Sequence, residues 1–193
     1  MKKKLIDSLP FKRRVTGRTN YKKRMALLKS EHPRLVIRKS VKNINMALAE
    51  YGEKGDKILL SVNSRSLDKL GWKADKGNVP SAYLTGFLLG KKAKHSGIES
   101  AVLDMGLSSS VKGSRIYAAV AGALDAGMKI PQNPEILPAK DRLNGTHIAK
   151  YAEALKNDKI KYEKQFGLYL KKNIDPSHLP KHFEEVKNKI IKA

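Results

Sequence analysis

Arg34-Leu-Val-Ile-Arg-Lys-Ser-Val-Lys-Asn-Ile-Asn-Met-Ala-Leu-Ala49 is the stretch that decides the fold. Successive side chains of a strand leave opposite faces, so Leu35 and Ile37 share one side and Arg34, Val36 and Arg38 the other. Past a tight link at Lys39 to Lys42 the alternation resumes. Ile44, Met46 and Leu48 share a face opposed by Asn45 and Ala47. A second turn, Tyr51-Gly-Glu-Lys-Gly55, leads to Ile58, Leu60 and Val62 alternating with Leu59, Ser61 and Asn63. Short links and a period of two predict an antiparallel meander with one apolar face.

Outward from the meander the period changes. Asn78-Val-Pro80 opens a helix, with Asn as cap and Pro in the first turn. Tyr83, Leu84, Phe87 and Leu88 form its apolar stripe. Gly86 and Gly90, four apart, predict a close approach of this helix to the sheet. Glu99 to Asp104 reads as a further strand. Gly113-Ser114 starts a second helix with Ile116, Val120, Ala123 and Leu124 on one face, ended by Gly127, and Met128 to Ile130 reads as a short last strand. The class is therefore α/β: a mixed sheet, antiparallel meander plus further strands, with flanking helices. Pro131, Pro134 and Pro138 break regular structure, and Asp141-Arg-Leu-Asn-Gly145 is a turn. Polar helices follow; Tyr162, Phe166, Tyr169 and Leu170 fall at helical spacing, so that segment must dock on something. Three parts result: a basic arm at 1–30, an α/β core at 31–145 and a helical C-terminal extension at 146–193.

Charge is unevenly spread over these parts. Of the net +22, a net +13 lies in the first 42 residues, where 15 Lys and Arg meet only Asp7 and Glu31. Crowded cations repel in an isolated protein and become favourable when phosphates enter and counterions leave. The partner implied is nucleic acid. A membrane surface is also anionic, but the basic stretches lack the apolar face of an interfacial helix. No apolar run approaches the roughly 18–20 residues of a membrane span, and no apolar stretch follows the basic start as a secretory signal would require. There is no cysteine, which excludes disulfides, thiolate zinc sites and cysteine nucleophiles. A soluble intracellular protein is expected.

Candidate chemistry is sparse. His178 and His182 are four apart, but Pro180 lies between them and no third ligand is evident, so no metal site is expected. Asp56, Asp104 and Asp125 can be drawn as a two-metal carboxylate cluster; the plainer reading gives a turn residue, a strand end and a solvated helix position. No catalytic residue and no cofactor are therefore assigned. Lys112-Gly-Ser-Arg115 precedes a helix without Walker spacing, and serves either as a capped helix start or as a phosphate site at a helix N-terminus. Trp72 reads as core packing in preference to base stacking. In the arm, Thr16, Thr19, Asn20 and Tyr21 are interleaved with the cations. Such neutral donors suit phosphate and 2′-hydroxyl contacts, and Tyr21 suits stacking on an unpaired base.

One ordered series of residues is more specific. The run Arg13-Arg-Val-Thr-Gly-Arg-Thr-Asn-Tyr-Lys-Lys-Arg24 through Met25-Ala-Leu-Leu-Lys-Ser-Glu-His-Pro-Arg-Leu-Val-Ile-Arg38 resembles the N-terminal signature of the 5S-rRNA-binding large-subunit ribosomal protein family, universal family eighteen, in its archaeal form. Gly71-Trp72, Ala82-Tyr-Leu-Thr-Gly86, Gly97-Ile98, Leu103-Asp-Met-Gly-Leu107, Lys112-Gly-Ser-Arg115, Ile136-Leu-Pro138 and Asp141-Arg-Leu-Asn-Gly145 continue it, over residues 10–150. The resemblance implies a ribonuclease H-like architecture without its catalytic carboxylates. It implies a cytoplasmic, non-enzymatic protein that anchors 5S rRNA in the central protuberance of the large subunit. Its partners would be 5S rRNA, large-subunit rRNA and neighbouring ribosomal proteins, including others associated with 5S rRNA. Carried onto this chain, the RNA-binding residues would be Lys12, Arg13, Arg14, Thr16, Arg18, Thr19, Tyr21, Lys22, Lys23 and Arg24. Arg34 and Arg38 would join them on the sheet's polar face, with Lys112 and Arg115 at the helix start. The competing readings are an RNA-processing nuclease on a ribonuclease H-like fold and a free-standing RNA chaperone.

Overall fold

A computed structural model describes residues 9–192. The meander forms where the alternation places it. Strands β1 (Arg34–Lys39), β2 (Ile44–Glu50) and β3 (Lys57–Asn63) pair antiparallel, and β4 (Val102–Asp104) adds parallel to β1, giving the order β3-β2-β1-β4. Leu35, Ile37, Ile44, Met46 and Leu48 are all but fully buried on the apolar face. One register differs from the expected alternation. Leu48 pairs Leu60 while Ala49 pairs Ile58, so Leu59 is bulged. One extra residue inverts the side on which everything before it points, and Ile58 is 64% exposed instead of lying beside Leu60 and Val62. The fifth strand expected at Met128 to Ile130 is a single parallel bridge, Ser100 to Lys129.

Helices cover the apolar face. Between β3 and β4 run a 3-10 segment (Ser64–Leu70) and a long helix. Counting α1 (Lys12–Val15) and α2 (Tyr21–Leu28) in the arm, the long helix is α3 (Val79–His95), and α4 (Arg115–Asp125) follows β4. Asn78 caps α3 as its sequence predicts, accepting from the Ser81 N–H at 2.9 Å. Gly86 does not face the sheet, however. A Cβ on it would lie 1.9 Å from the Ala119 carbonyl oxygen of α4, and one on Gly122 of α4 would lie 2.0 Å from the Tyr83 carbonyl oxygen of α3. Each helix thus rests its backbone on the other's glycine. The sheet needs no such approach, because Leu and Ile side chains fill the space between it and the helices.

The C-terminal chain forms α5 (Lys140–Leu143), α6 (Thr146–Leu155), α7 (Lys159–Leu170) and α8 (Leu179–Lys192). The expected turn at Asp141 to Gly145 is half helix, since α5 takes its first residues. Phe166 and Tyr169 of α7 dock, while Leu170 is 41% exposed. The apolar stripe Leu179, Phe183, Val186 and Ile190 of α8 joins the central cluster. Burying side chains of this size contributes about 1.5–3 kcal/mol each. Trp72 is buried, stacked on the His182 ring at 5.1 Å, and donates its indole N–H to the Asp75 carbonyl.

Gly86→Ala tests the helix contact against Gly167→Ala in α7, where nothing lies within 4 Å of the added carbon. Helix propensity favours both changes by up to about 1 kcal/mol. The clash should reverse the sign at Gly86, lowering stability by about 1–3 kcal/mol, while Gly167→Ala raises it. Urea melts of both variants check this.

Candidate nucleic-acid interface

The polar face of the sheet is built around one carboxylate. Parallel pairing sets Asp104 opposite Val36, so its diagonal neighbours on the same face are Arg34 and Arg38. Arg34 Nη1 lies 3.2 Å from Asp104 Oδ2, and Arg38 Nη2 lies 3.0 Å from Oδ1. Arg38 also donates to the Asp104 and Ile37 carbonyls at 2.7 and 2.9 Å. Arg34 reaches a second acid: Nη2 is 2.7 Å from Asp56 Oδ1, and Arg24 of α2 donates to that same oxygen at 2.8 Å. The arm is therefore tied to the sheet through a shared carboxylate.

Partial burial works to raise the Asp56 pKa, but hydrogen bonds and charge from Arg34 and Arg24 outweigh it and hold the carboxyl below its ordinary value. The arm is also internally ordered. Asn20 caps α2 by accepting from the Lys23 N–H at 3.1 Å. Arg13 Nε donates to Thr19 Oγ1 at 2.9 Å, and Thr16 donates back to the Lys12 carbonyl at 3.0 Å.

Between the arm and the β1–β4 edge lies a cleft of about 780 Å³. Arg13, Arg18, Lys23, Arg24 and Arg38 line it, with Thr19 and Asn20 among them. Its one acid is Asp104, already bridged twice. The far wall is the turn after β4, Met105 to Ser108. Gly106 has φ +62, and a Cβ there would meet the Arg38 guanidinium at 2.8 Å. A smaller neighbouring cleft of about 400 Å³ is lined by Arg14, Thr19, Tyr21 and Lys22. Cations gathered over an open groove can hold phosphate oxygens without a fixed base sequence.

Most of the expected residues lie around these two clefts. Arg13, Arg18, Thr19, Lys23, Arg24 and Arg38 share the larger cleft, Arg14, Tyr21 and Lys22 share the smaller, and Lys12 and Thr16 are exposed on the same arm. Tyr21 is half-buried, with its ring 4.9 Å from Phe11. Two expectations need correction. Arg34 does not project away from the core: it is 2% exposed, because Asp104 and Asp56 draw its guanidinium inward and α2 is tied over it by Arg24. Arg115 does not aim outward either. It donates to the Gly77 carbonyl at 2.6 Å and to the Ser40 and Val41 carbonyls at 3.1 and 3.3 Å, securing the β1–β2 turn. Lys112 is exposed nearby. Lys2 to Lys4 lie outside the described residues.

The imagined metal cluster does not assemble. Asp56 and Asp104 hold guanidiniums, and Asp125 accepts the Tyr83 hydroxyl at 2.6 Å. Sequence reasoning missed the wall at Met105 to Ser108 and the organising role of Asp104. The available signal was Leu103-Asp-Met-Gly-Leu107 itself, an acid followed by a turn glycine at the end of a strand.

Two comparisons bear on this surface. The family model for ribosomal large subunit proteins 60S L5 and 50S L18 matches residues 8–99. The large ribosomal subunit protein uL18 of Methanococcus maripaludis is 50% identical over 183 residues, covering 95% of this chain and 95% of that protein.

Arg34→Gln should cost about 3–5 kcal/mol, because it removes the one buried cation shared by both carboxylates and leaves each with a single, more exposed partner. Arg38→Gln, with a side chain 46% exposed, should cost about 1 kcal/mol or less. Chemical denaturation of both variants measures the contrast. A depressed folded-state pKa stabilises above the unfolded value, and that stability is lost as pH falls through the folded one. The wild type should therefore lose melting temperature as pH drops below about 4. Asp56→Asn should flatten that acid limb, and Arg24→Gln should flatten it partly.

Proposed function

The chain belongs to the uL18 family of large ribosomal subunit proteins, and from that premise we propose that it is a structural protein that binds 5S rRNA and anchors it in the central protuberance. The observation that carries this reading is the arm cleft. Five cations line it, and its single acid is already neutralised from within. Such a groove leaves a net positive charge that favours an external polyanion over dispersed counterions. The arm cations Lys12, Arg13, Arg14, Arg18, Lys22 and Lys23 take phosphates. Thr16, Thr19 and Asn20 supply neutral contacts to phosphate or ribose. Arg38, half-exposed at the cleft's inner edge, is the sheet's contribution.

The nuclease reading is disfavoured, because the carboxylates it needs are spent on guanidiniums and a phenol. The family's members are structural and not catalytic. The partners proposed are 5S rRNA, large-subunit rRNA and neighbouring ribosomal proteins, within the cytoplasmic large subunit. Among the described residues no helix is long and apolar enough to cross a membrane.

The test compares 5S rRNA with a transfer RNA of similar length at matched salt. The expected result is much tighter binding of 5S rRNA. In Arg18→Gln/Lys23→Gln the slope of log affinity against log salt should shrink by roughly 0.7–0.9 per contact removed. Equal affinity for both RNAs across the titration would leave a general RNA chaperone. An unchanged slope would remove the arm cleft from the interface.

A further inference from the structure

A second cleft lies across the β1–β2 turn from the first. Arg38 at the end of β1 lines the arm cleft; Lys42 in the turn lines the other, also about 780 Å³, between the 73–78 loop and helices α6 and α7. Arg38 and Lys42 are four residues apart, so no more than about 14 Å separates their Cα atoms. That is the reach of a few nucleotides of one strand.

The inner wall of this cleft is aromatic. Phe166 is buried at its base, and Tyr169 is held by the Asn78 amide, which donates to its hydroxyl at 3.4 Å. Tyr151 of α6 is 50% exposed, its ring 6.1 Å from that of Phe166 at 56°. The ring thus packs against Phe166 while half of the residue stays accessible at the cleft. The rim is cationic: Lys42 and Arg65 are exposed, Lys172 donates to the Lys73 carbonyl at 3.1 Å, and Asp75 is the one acid in the lining. An open aromatic face beneath cations fits a base with its flanking phosphates. The Asp and Glu side chains of an acidic peptide would meet the cations but offer no extended aromatic face to stack on the ring. A base-paired nucleotide would not reach the wall, because its faces are already stacked.

We propose that this second cleft captures one unpaired nucleotide of RNA, its base stacked on Tyr151 and its neighbouring phosphates held by Lys42 and Arg65. The inference rests on the reading of the chain as an RNA-binding ribosomal protein. It extends the RNA path from the arm, past the β1–β2 turn, to the C-terminal helices.

The probe is a fluorescent oligoadenylate of about a dozen nucleotides, within the usual site size of single-strand binders. It is read by anisotropy on the full chain carrying Arg18→Gln and Lys23→Gln, so that the arm cleft contributes less. Adding Tyr151→Leu should weaken binding about 5- to 100-fold, while Tyr151→Phe stays near the starting value. An abasic strand of equal length should bind more weakly and ignore Tyr151→Leu. Lys42→Gln/Arg65→Gln, on exposed side chains, should weaken both strands and supplies the test if Tyr151→Leu misfolds by circular dichroism. Unchanged oligoadenylate affinity in Tyr151→Leu, or an equal loss on the abasic strand, overturns the proposal. So does an oligoglutamate of matched charge that binds as tightly with the same dependence on Tyr151. The preference for 5S rRNA over transfer RNA is read separately in the wild type. Its absence beside an intact Tyr151 effect rejects the 5S assignment and leaves the cleft standing; its presence beside no Tyr151 effect rejects the cleft alone.

Discussion

The outer face of the sheet hangs from one guanidinium. Arg34 is buried between Asp104 and Asp56, and a cation taken out of water is tolerated only with its counter-charges in place. That requirement fixes three things together. It holds β4 in the register that brings Asp104 beside β1. It brings the chain before β3 back across β2 to deliver Asp56. It leaves a carboxylate oxygen to which Arg24 also binds, so α2 is tied by charge to the sheet's outer face. Buried ion pairs are not in themselves a reliable source of stability, since well-packed apolar groups often do as well. What this one supplies is placement: an arm that would otherwise be a repelling string of cations has a defined seat.

The inner face follows different physics. There α3 and α4 meet through reciprocal glycine contacts, and the helices cover Leu35, Ile37, Ile44, Met46 and Leu48. Apolar burial of this kind is non-directional, so it tolerates the shallow register change at Leu59. The glycine contacts are directional, because backbone cannot yield as a side chain does. The strict constraint on the core is thus the helix pair, and the sheet adapts beneath it. The helix α8 closes the same core through its own stripe.

How much of this is legible in sequence depends on the range of the determinant. Period-two alternation is local, and it placed three strands and the facing of Arg34 and Arg38 opposite Leu35 and Ile37. The Asn78 cap is local and was read correctly. The bulge at Leu59 is not visible, since it arises from cross-strand register. The partner of Gly86 was misread as the sheet for the same reason: spacing shows that a close approach exists but not what approaches. In the candidate site, the arm residues stand out because their charge is anomalous along the chain, and the structure gathers most of them around two clefts. Arg34 and Arg115 were misplaced because their partners, Asp104 at one remove and the Gly77 carbonyl at another, lie far away in sequence. Asp104 itself reads as an ordinary strand end until β4 is known to lie beside β1.

Cations alike in sequence are therefore sorted by what neutralises them. Arg34 is spent on Asp56 and Asp104, Arg24 on Asp56, Arg38 in part on Asp104, and Arg115 on carbonyls. Among the described residues Arg18 and Lys23 make no ion pair, yet they share a cleft with Arg13 and Arg38. Their mutual repulsion is a standing cost that bound phosphate relieves, and that relief is salt-dependent because counterions are released. The two sets divide the work. Internally paired arginines fix where the arm lies, and so the shape of the groove between it and the turn after β4. Externally facing ones supply attraction that any polyanion feels. Moving the arm's seat, which Arg34 holds through Asp56, would change the shape of the groove while leaving the cations that line it in place.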